Sequence, residues 1–125
     1  MNTISVTNVT AYLRASFPGL TFVANEFAAT NPDDCAFVRM QPGFAPSEWT
    51  TKRIPGFQIV IRAKNPGDAE ARANAIYAEL HGKAEFAIGP VRVIKCMSDQ
   101  SAPIYLGRDE NGRTQYSLNF NITIL

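Results

Sequence analysis

Few residues of this chain have the type and spacing that catalysis requires. His81 is the only histidine, and it stands next to Gly82 in the last turn of a predicted helix. A cation at that position is favoured by the helix dipole. Zinc sites need further histidine or cysteine ligands close by, and no cysteine lies near His81 in the sequence. We therefore interpret His81 as a helix-capping residue rather than a catalytic base or metal ligand.

The carboxylates and thiols are scattered as well. Asp33–Asp34 and Asp109–Glu110 fall in predicted turns, where acidic residues are ordinary turn formers, and the second pair lacks the ligand rhythm of a calcium loop. Cys35 and Cys96 lie in separate apolar segments, which predicts two buried free thiols, with a disulfide or redox role as the alternative. The chain has no phosphate-binding glycine motif and no nucleophile-elbow motif. We expect no enzyme activity, no cofactor and no metal.

Composition and charge narrow the class of protein further. The chain has 125 residues, of which 46% are apolar and 18% charged, and its formal net charge is +1. These values predict one globular domain spanning residues 1–125. Because no basic stripe is present, tight non-specific binding to nucleic acid is not expected. The N-terminus lacks a signal-peptide pattern and no window approaches ~18 apolar residues, so we expect no membrane association.

The longest regular pattern lies at the C-terminal end, from Arg113 to Ile124. Polar and apolar residues alternate there, which predicts one long strand with two unlike faces. The polar face comprises Gln115, Ser117, Asn119, Asn121 and Thr123. It carries amides and hydroxyls but no charge, whereas open faces and edges of soluble sheets usually carry charged residues. The neutral face therefore predicts either a contact with another subunit or the wall of a passage.

Two helices are predicted to accompany this strand. The first runs from Ile4 to Phe17 with Ser5 as its N-cap, and Pro18-Gly19 ends it. The second follows the cap residue Asn65, has Pro66 in its first turn and ends at Gly82. Its alanine-rich apolar stripe is typical of a helix that packs on a sheet.

Strands are predicted at Leu20–Ala28, Cys35–Met40, Phe57–Ala63, Val91–Met97 and Pro103–Arg108. The first two should form a hairpin, and the last pairs with the long final strand as a C-terminal β-hairpin at 103–125. Its Asn-Gly turn, taken as two residues long, would place Glu110 opposite Arg113. This order of elements predicts an α+β fold with two helices packed on one face of a mainly antiparallel twisted sheet.

A long Pro/Gly-rich loop is predicted at 41–56, between two of the strands. It contains Phe44, Trp49, Lys52 and Arg53 and shows no periodicity. Long loops in small domains are often functional, and aromatic residues with arginine are enriched at interface hot spots. We interpret the loop as a contact arm. A tryptophan folded back on the core and a catalytic lid are the alternatives.

Two segments carry a resemblance to a known family. One is Arg53–Arg62 with the helix that follows it to Leu80, and the other is Pro103–Phe120, with the sequence PIYLGRDENGRTQYSLNF. Together they resemble the small minor capsid or tail terminator proteins of long-tailed bacteriophages, over roughly residues 50–125. The resemblance implies a homo-oligomer, a hexameric ring that caps the tail tube, stops its polymerisation and provides the head-docking surface.

The same resemblance implies partners and a location but no catalytic residues and no cofactor. The partners are the tail tube protein and a head-completion or connector protein, and DNA passes through the ring without specific binding. The location is the head-proximal end of the virion tail, after synthesis in the bacterial cytoplasm. The candidate interface residues are Phe44, Trp49, Lys52, Arg53, Arg113, Gln115, Ser117, Asn119 and Asn121.

Two further classes of protein stay open from the sequence alone. One is a different phage head–tail connector, a stopper or a tail tube subunit, which would share ring symmetry and small folds. The other is a small enzyme or ligand-binding module, which would show a concave pocket with converging polar groups.

Overall fold

The computed structural model describes residues 3–125, which form two helices and one seven-stranded sheet. The helices are α1 (Val6–Ser16) and α2 (Pro66–Leu80), and the strands are β1 (Thr21–Ala24), β2 (Cys35–Phe44), β3 (Ile54–Ala63), β4 (Ala84–Ile88), β5 (Val91–Ser98), β6 (Ile104–Arg108) and β7 (Thr114–Ile124). The sheet order is β1-β2-β3-β7-β5-β4, and β6 also pairs with β7. β7 therefore has β3 along one edge, with β5 and β6 in succession along the other.

The predicted α+β arrangement, with two helices on one face of a mainly antiparallel sheet, is wrong. The protein is mostly β, with 44% strand and 21% helix, and its mixed sheet curls into a half-barrel. Register shifts between Gln41 and Phe44, between Val93 and Lys95, and between Tyr105 and Gly107 interrupt the ladders. Such bulges bend strands and increase their twist, which favours a curled sheet over an open layer.

The predicted hairpin between Leu20–Ala28 and Cys35–Met40 is also wrong. β1 is only four residues long and runs parallel to β2, with Thr21 beside Cys35 and Ala24 beside Val38. A parallel pair needs a connection that returns the chain to the starting end of the first strand. Residues 25–34 provide that return, which a local turn signal does not reveal.

Both helices begin at their predicted N-caps. Ser5 Oγ accepts a hydrogen bond from Thr7 N at 3.2 Å, and Asn8 Oδ1 accepts one from Ser5 N at 3.1 Å. Asn65 Oδ1 accepts hydrogen bonds from Gly67 N and Asp68 N at 2.8 and 3.2 Å. These bonds satisfy backbone N–H groups that the first helical turn leaves without partners.

Helix α1 bridges the two end strands of the curled sheet. Arg14 Nη2 donates to the carbonyl oxygen of Phe22 in β1 at 2.7 Å. On its other side, the Tyr12 ring packs against Phe86 of β4, with ring centroids 5.6 Å apart. Lys83 Nζ donates to the Tyr12 hydroxyl at 2.6 Å. The helix thus closes the space between β1 and β4.

The hydrophobic core lies between the sheet and the helices, and its centre comes from β3 and β7. The fully buried residues of these strands are Phe57, Ile59, Ile61, Ala63, Leu118, Phe120, Ile122 and Ile124. The Phe57 and Phe120 rings pack 5.6 Å apart. Each such large apolar side chain contributes roughly 1.5–3 kcal/mol by leaving water. The alternation that predicted these two strands is confirmed, and they form a rigid platform for the polar side chains on their other face.

The predicted loop at 41–56 is shorter in the structure. β2 continues to Phe44 and β3 begins at Ile54, so the irregular part is 45–53. Gly43 has φ +66°, and a Cβ atom there would lie 1.9 Å from the carbonyl oxygen of Ile54. Only glycine fits such a position, and the bulge it permits breaks the period-two pattern. We call residues 44–54, the end of this β2–β3 hairpin, the arm.

The turn of the C-terminal hairpin also differs from the prediction. Asp109 N donates to Arg113 O at 3.0 Å, so three residues lie in the turn, and Gly112 takes φ +75°. Arg113 Nε donates to Asp109 Oδ2 at 2.7 Å, whereas Glu110 is exposed. The predicted pair of Glu110 with Arg113 is wrong, because the third turn residue moves Asp109 opposite Arg113.

Candidate assembly interface

The neutral strand β7 lies inside the sheet rather than at its edge. β3 pairs with residues 114–121 along one edge, and β6 and β5 pair with 114–117 and 120–124 along the other. Its backbone hydrogen bonds are therefore largely used within the subunit. What β7 offers to a partner is its polar side chains, together with those of β2 and β3 beside them.

We call these polar side chains the amide face; they are Gln41, Gln58, Gln115, Ser117, Asn119 and Asn121, and hydrogen bonds link four of them, Gln41, Gln58, Ser117 and Asn119. Gln58 Nε2 donates to Ser117 Oγ at 2.9 Å, and Gln41 Nε2 donates to Asn119 Oδ1 at 3.3 Å. Asn121 Nδ2 donates to Asp99 Oδ1. Ser117 is only 2% exposed. Because several of these amides and hydroxyls bond one another, their polar groups are partly satisfied before any partner arrives. The exposed cations Arg39 and Lys95 lie on the same side of the sheet, in register with Gln58 and Thr123.

One end of the amide face is covered by residues 25–34 of the same chain. Arg62 is 3% exposed, donates to the carbonyl oxygen of Pro32 at 2.9 Å and stacks on the Phe27 ring at 3.9 Å. Burial away from water lowers the pKa of Arg62. Arg113, largely buried, bonds Asp109 and also reaches Asp33 at 3.5 Å. Both arginines thus hold this segment and the adjacent turn in place.

The arm places two aromatic side chains in solvent. Trp49 is 92% exposed and Phe44 is 65% exposed, so the alternative in which Trp49 folds back on the core is wrong. Ser47 Oγ accepts hydrogen bonds from Trp49 N and Thr50 N at 3.1 and 3.2 Å. Ser47 N in turn donates to Lys52 O at 3.1 Å. The loop therefore has a defined shape that presents an exposed tryptophan, a residue enriched at interface hot spots.

An open groove of about 310 Å³ lies at the base of the arm. Its apolar lining comes mainly from Ile4, Met40, Pro42, Phe44, Pro46 and Ile54. Arg53 also lines it, and its backbone N and O exchange hydrogen bonds with Ile124 at 2.8 and 2.9 Å, which fixes the arm to the end of β7. An apolar groove without several converging polar groups is suited to packing against another surface.

Strand β6 belongs to the 103–125 hairpin, which the resemblance implied as a ring or tube contact, but none of its residues was among the predicted interface residues. Ile104, Tyr105 and Leu106 are 40%, 59% and 49% exposed. The Tyr105 ring packs on Tyr116 with centroids 5.5 Å apart. Three consecutive apolar residues break the polar–apolar alternation of a half-buried strand, and this break was the available signal. On an edge strand such residues are typical of an interaction site.

The histidine and the two cysteines, which were considered for catalysis or metal binding, have structural roles. His81 is the C-cap of α2, its Nδ1 accepts a hydrogen bond from Ser98 N at 3.0 Å, and its ring stacks on Tyr77. Cys35 and Cys96 are buried free thiols; burial raises the pKa of Cys35 and raises that of Cys96 to about 12. Thiols that stay protonated are poor nucleophiles. Over residues 3–125, no group of three potential ligands could hold a metal ion, and no helix is long and apolar enough to cross a membrane.

The nine predicted interface residues occupy three places. Phe44, Trp49, Lys52 and Arg53 lie in the arm, Arg113 lies in the hairpin turn, and Gln115, Ser117, Asn119 and Asn121 lie on the amide face. The structure therefore separates them into distinct surfaces rather than one site.

Comparison with known protein families gives a match. The model of a family described as bacteriophage tail terminator protein matches residues 23–125. No curated protein matches the chain. The matched span contains the arm, the amide face, α2 and β6, and it confirms the resemblance seen in the sequence. The chain belongs to the bacteriophage tail terminator protein family.

Proposed function

We propose that this protein forms a hexameric ring on the finished end of a phage tail tube, stops tube polymerisation and provides the surface to which the head docks. The observation that carries the proposal is the family match over residues 23–125. Members of this family are components of the virion tail, so the function is structural. The head-side partner in this proposal is a head-completion or connector protein.

Two unlike apolar surfaces support a ring of identical subunits. A ring requires a heterologous interface, in which one patch of a subunit contacts a different patch of the next. This chain exposes the groove at the arm base and the apolar residues of β6. The groove reaches Ile124, whereas β6 pairs with Ser117. Seven residues of extended chain separate these positions, roughly 23 Å.

The tip of the arm supports an axial contact. Trp49 lies in the loop that joins the end of β2 to the start of β3, at one end of these strands. If the strands of each copy run close to the ring axis, the tip faces the component stacked above or below. We infer that Trp49, with Phe44 and Lys52 beside it, contacts the tail tube protein.

The lack of charge on β7 supports free passage of DNA through the ring. Phosphate binding comes mainly from lysine and arginine, and the side chains of β7 from Gln115 to Thr123 carry neither. Ser117 is buried, so on β7 itself the surface available to a passing duplex comes from Gln115, Asn119 and Asn121, while Arg39 of β2 and Lys95 of β5 are exposed on the same face beside it. We infer that DNA crosses such a wall without specific binding.

Native mass spectrometry over a range of protein concentrations, alone and with tail tubes, tests the proposal. We expect discrete rings, and tubes whose lengthening stops after the protein is added. Filaments of the protein alone would instead indicate a tube subunit. A protein that stays monomeric even when tube ends are present, and leaves the tubes able to grow, would refute the ring.

The substitution Trp49→Ala tests the axial contact within the same assay. Because Trp49 is 92% exposed, we expect the unfolding free energy to change by less than about 0.5 kcal/mol. Loss of an interface hot spot costs about 2 kcal/mol or more, or roughly 30-fold in affinity for the tube. Thr51→Ala, an exposed residue of the same loop, is the matched control and should bind normally. Equal tube affinities for the two variants would show that Trp49 is not the contact.

A further inference from the structure

Besides the end strands β1 and β4, two stretches of strand in the described part of the chain have a sheet partner on one side only. β1 pairs with Cys35–Val38, so the remainder of β2, Arg39–Phe44, is bonded to β3 alone. β6 is bonded to β7 alone over residues 3–125. A strand edge of this kind presents free C=O groups and, except at Pro42, free N–H groups, and it is a template for a strand of another chain.

The two end strands of the sheet are protected, in contrast. β1 has four residues, and Arg14 of α1 occupies the carbonyl oxygen of Phe22. β4 is contacted by α1 and carries Glu85, which has φ +55° and is ion-paired with Arg92. Short length, charge, irregular backbone and a covering helix are the usual protections of natural edge strands.

The free edge of β6 is less protected, although it is five residues long and has a register shift between Tyr105 and Gly107. Its residues from Ile104 to Gly107 carry no charge, and the three apolar side chains before Gly107 are exposed. The free edge of β2 runs beside the apolar groove, because Met40, Gln41, Pro42 and Phe44 line that groove. An exposed apolar strand and an apolar groove with a free strand edge are complementary surfaces.

The two surfaces cannot meet within one molecule. In the order β2-β3-β7-β6 they lie at opposite sides of the sheet, with two strands between them. The occupant that fits each surface is therefore the other surface of a second copy of this chain. A contact between unlike patches links copies head to tail, as a ring requires.

Strand direction agrees with this arrangement. β2, β3, β7 and β6 alternate in direction, because each neighbouring pair is antiparallel. β6 thus runs opposite to β2. Rotation about an axis close to the strand direction preserves those directions from copy to copy, so β6 of one copy would meet β2 of the next antiparallel, which is the more stable pairing.

We propose that β6 of one copy adds to the free edge of β2 at Arg39–Phe44 in the next copy and buries Ile104, Tyr105 and Leu106 against the groove. This proposal rests on the proposed ring and specifies the contact that closes it. Ile104 of β6 is in register with Ser117 of β7, and Ser117 is in register, through Val60 of β3, with Phe37 of β2. The free edge of β2 is centred about five residues beyond Phe37, which is roughly 16 Å along the strand. The strands must then be tilted to the ring axis, as in any closed barrel.

Cross-linking of paired cysteine variants tests the contact in the full-length protein. Tyr105→Cys and Arg39→Cys, combined in one chain and treated with a flexible bis-maleimide, should give a ladder of covalent oligomers ending at the closed ring. Each single variant should stay uncross-linked, and a mixture of the two should stop at dimers, since each chain then carries one half of the contact. The native Cys35 and Cys96 are buried and should not react.

The matched control combines Tyr105→Cys with Ala84→Cys, an exposed position on the protected strand β4. Thiols held together in a complex meet at millimolar effective concentration. At micromolar protein, the test pair should therefore give at least about ten times more cross-linked oligomer than this control. Equal cross-linking of both pairs, or self-linking of Tyr105→Cys alone, would overturn the contact. If native mass spectra show rings but cross-linking gives no ladder, the contact between β6 and β2 is refuted and the proposal of a ring still stands. Wild-type protein that forms no rings would remove both proposals.

Discussion

Asp109 and Glu110 are adjacent carboxylates whose replacement by alanine should affect stability to very different extents. Asp109 receives the Nε hydrogen bond of Arg113 at 2.7 Å, and both side chains are less than a fifth exposed, at 18% and 15%. Glu110 is exposed in the three-residue turn. Asp109→Ala should therefore destabilise the protein, whereas Glu110→Ala should change its unfolding free energy by less than about 0.5 kcal/mol.

The size of the Asp109 effect follows from its hydrogen bonds. The carboxylate also accepts from Asn111 N and Arg113 N, each at 3.0 Å. A hydrogen bond to a charged group contributes about 1.5–3 kcal/mol, but partial exposure lets water replace some of it and the three bonds are not additive. Arg113 additionally keeps its contact with Asp33 at 3.5 Å. We expect Asp109→Ala to cost about 2–3 kcal/mol, since the turn loses its anchor while Arg113 keeps one carboxylate.

Urea unfolding of the two alanine variants measures these values, and a double-mutant cycle with Arg113→Ala isolates the pair. The coupling energy between Asp109 and Arg113 should be about 1–2 kcal/mol, between the values of exposed and buried ion pairs. The same cycle for Glu110 and Arg113 should give a coupling near zero. A larger coupling for Glu110 than for Asp109 would refute the three-residue turn and restore the two-residue one.

The pH dependence provides a second readout with a fixed sign. Burial alone would raise the pKa of Asp109, but hydrogen bonds from Arg113 and Asn111, with the charge of Arg113, outweigh it and hold the pKa below its ordinary value. A depressed folded-state pKa adds stability above the unfolded pKa, about 3.9, and this stability is lost as the pH falls through the folded value. The difference between wild type and Asp109→Ala should therefore shrink below about pH 4. A difference that grows on acidification would contradict the assignment.

Two further predictions concern the buried thiols and the bulge that shapes the arm. Cys35 and Cys96 should react with a thiol reagent only as the protein unfolds, because both are buried and burial raises the pKa of both; rapid labelling of the native protein would contradict their positions. Gly43→Ala should cost at least about 1–3 kcal/mol in urea unfolding, since the added Cβ would clash with Ile54 O and φ is positive. Gly19→Ala, with nothing within 4 Å of its Cβ, is the control and should be tolerated.

The sequence predicted what depends on neighbouring residues along the chain. The alternation in β3 and β7 predicted their buried faces, and the caps Ser5 and Asn65 predicted where both helices begin. In each case the signal and the structure it specifies lie within a few residues of one another, so no knowledge of distant partners was needed.

What the sequence did not predict depends on partners far along the chain. The parallel pairing of β1 with β2 requires the path of residues 25–34, and the curl of the sheet requires bulges in several strands. The sequence did not predict that β2 continues to Phe44, because the bulge at Gly43 interrupts the period-two pattern of this strand. The apolar run of β6 was visible in the sequence, but its significance depends on β6 lying at an edge, which only the sheet order establishes.

The position of β7 within the sheet also bears on the meaning of its neutral polar face. A strand with partners on both edges cannot recruit another chain through its backbone, so subunits must meet elsewhere, and the free edges are those of β2 and β6. If copies pair through those edges, the sheet continues from one subunit to the next, with α2 always on its core side. The amide face then lies on the side away from α2 in every copy. In the proposed ring that side is continuous from copy to copy and uncharged along β7, with Arg39 and Lys95 on the strands beside it. Because this side faces the same way in every copy, the arrangement favours the wall of a passage over a subunit contact.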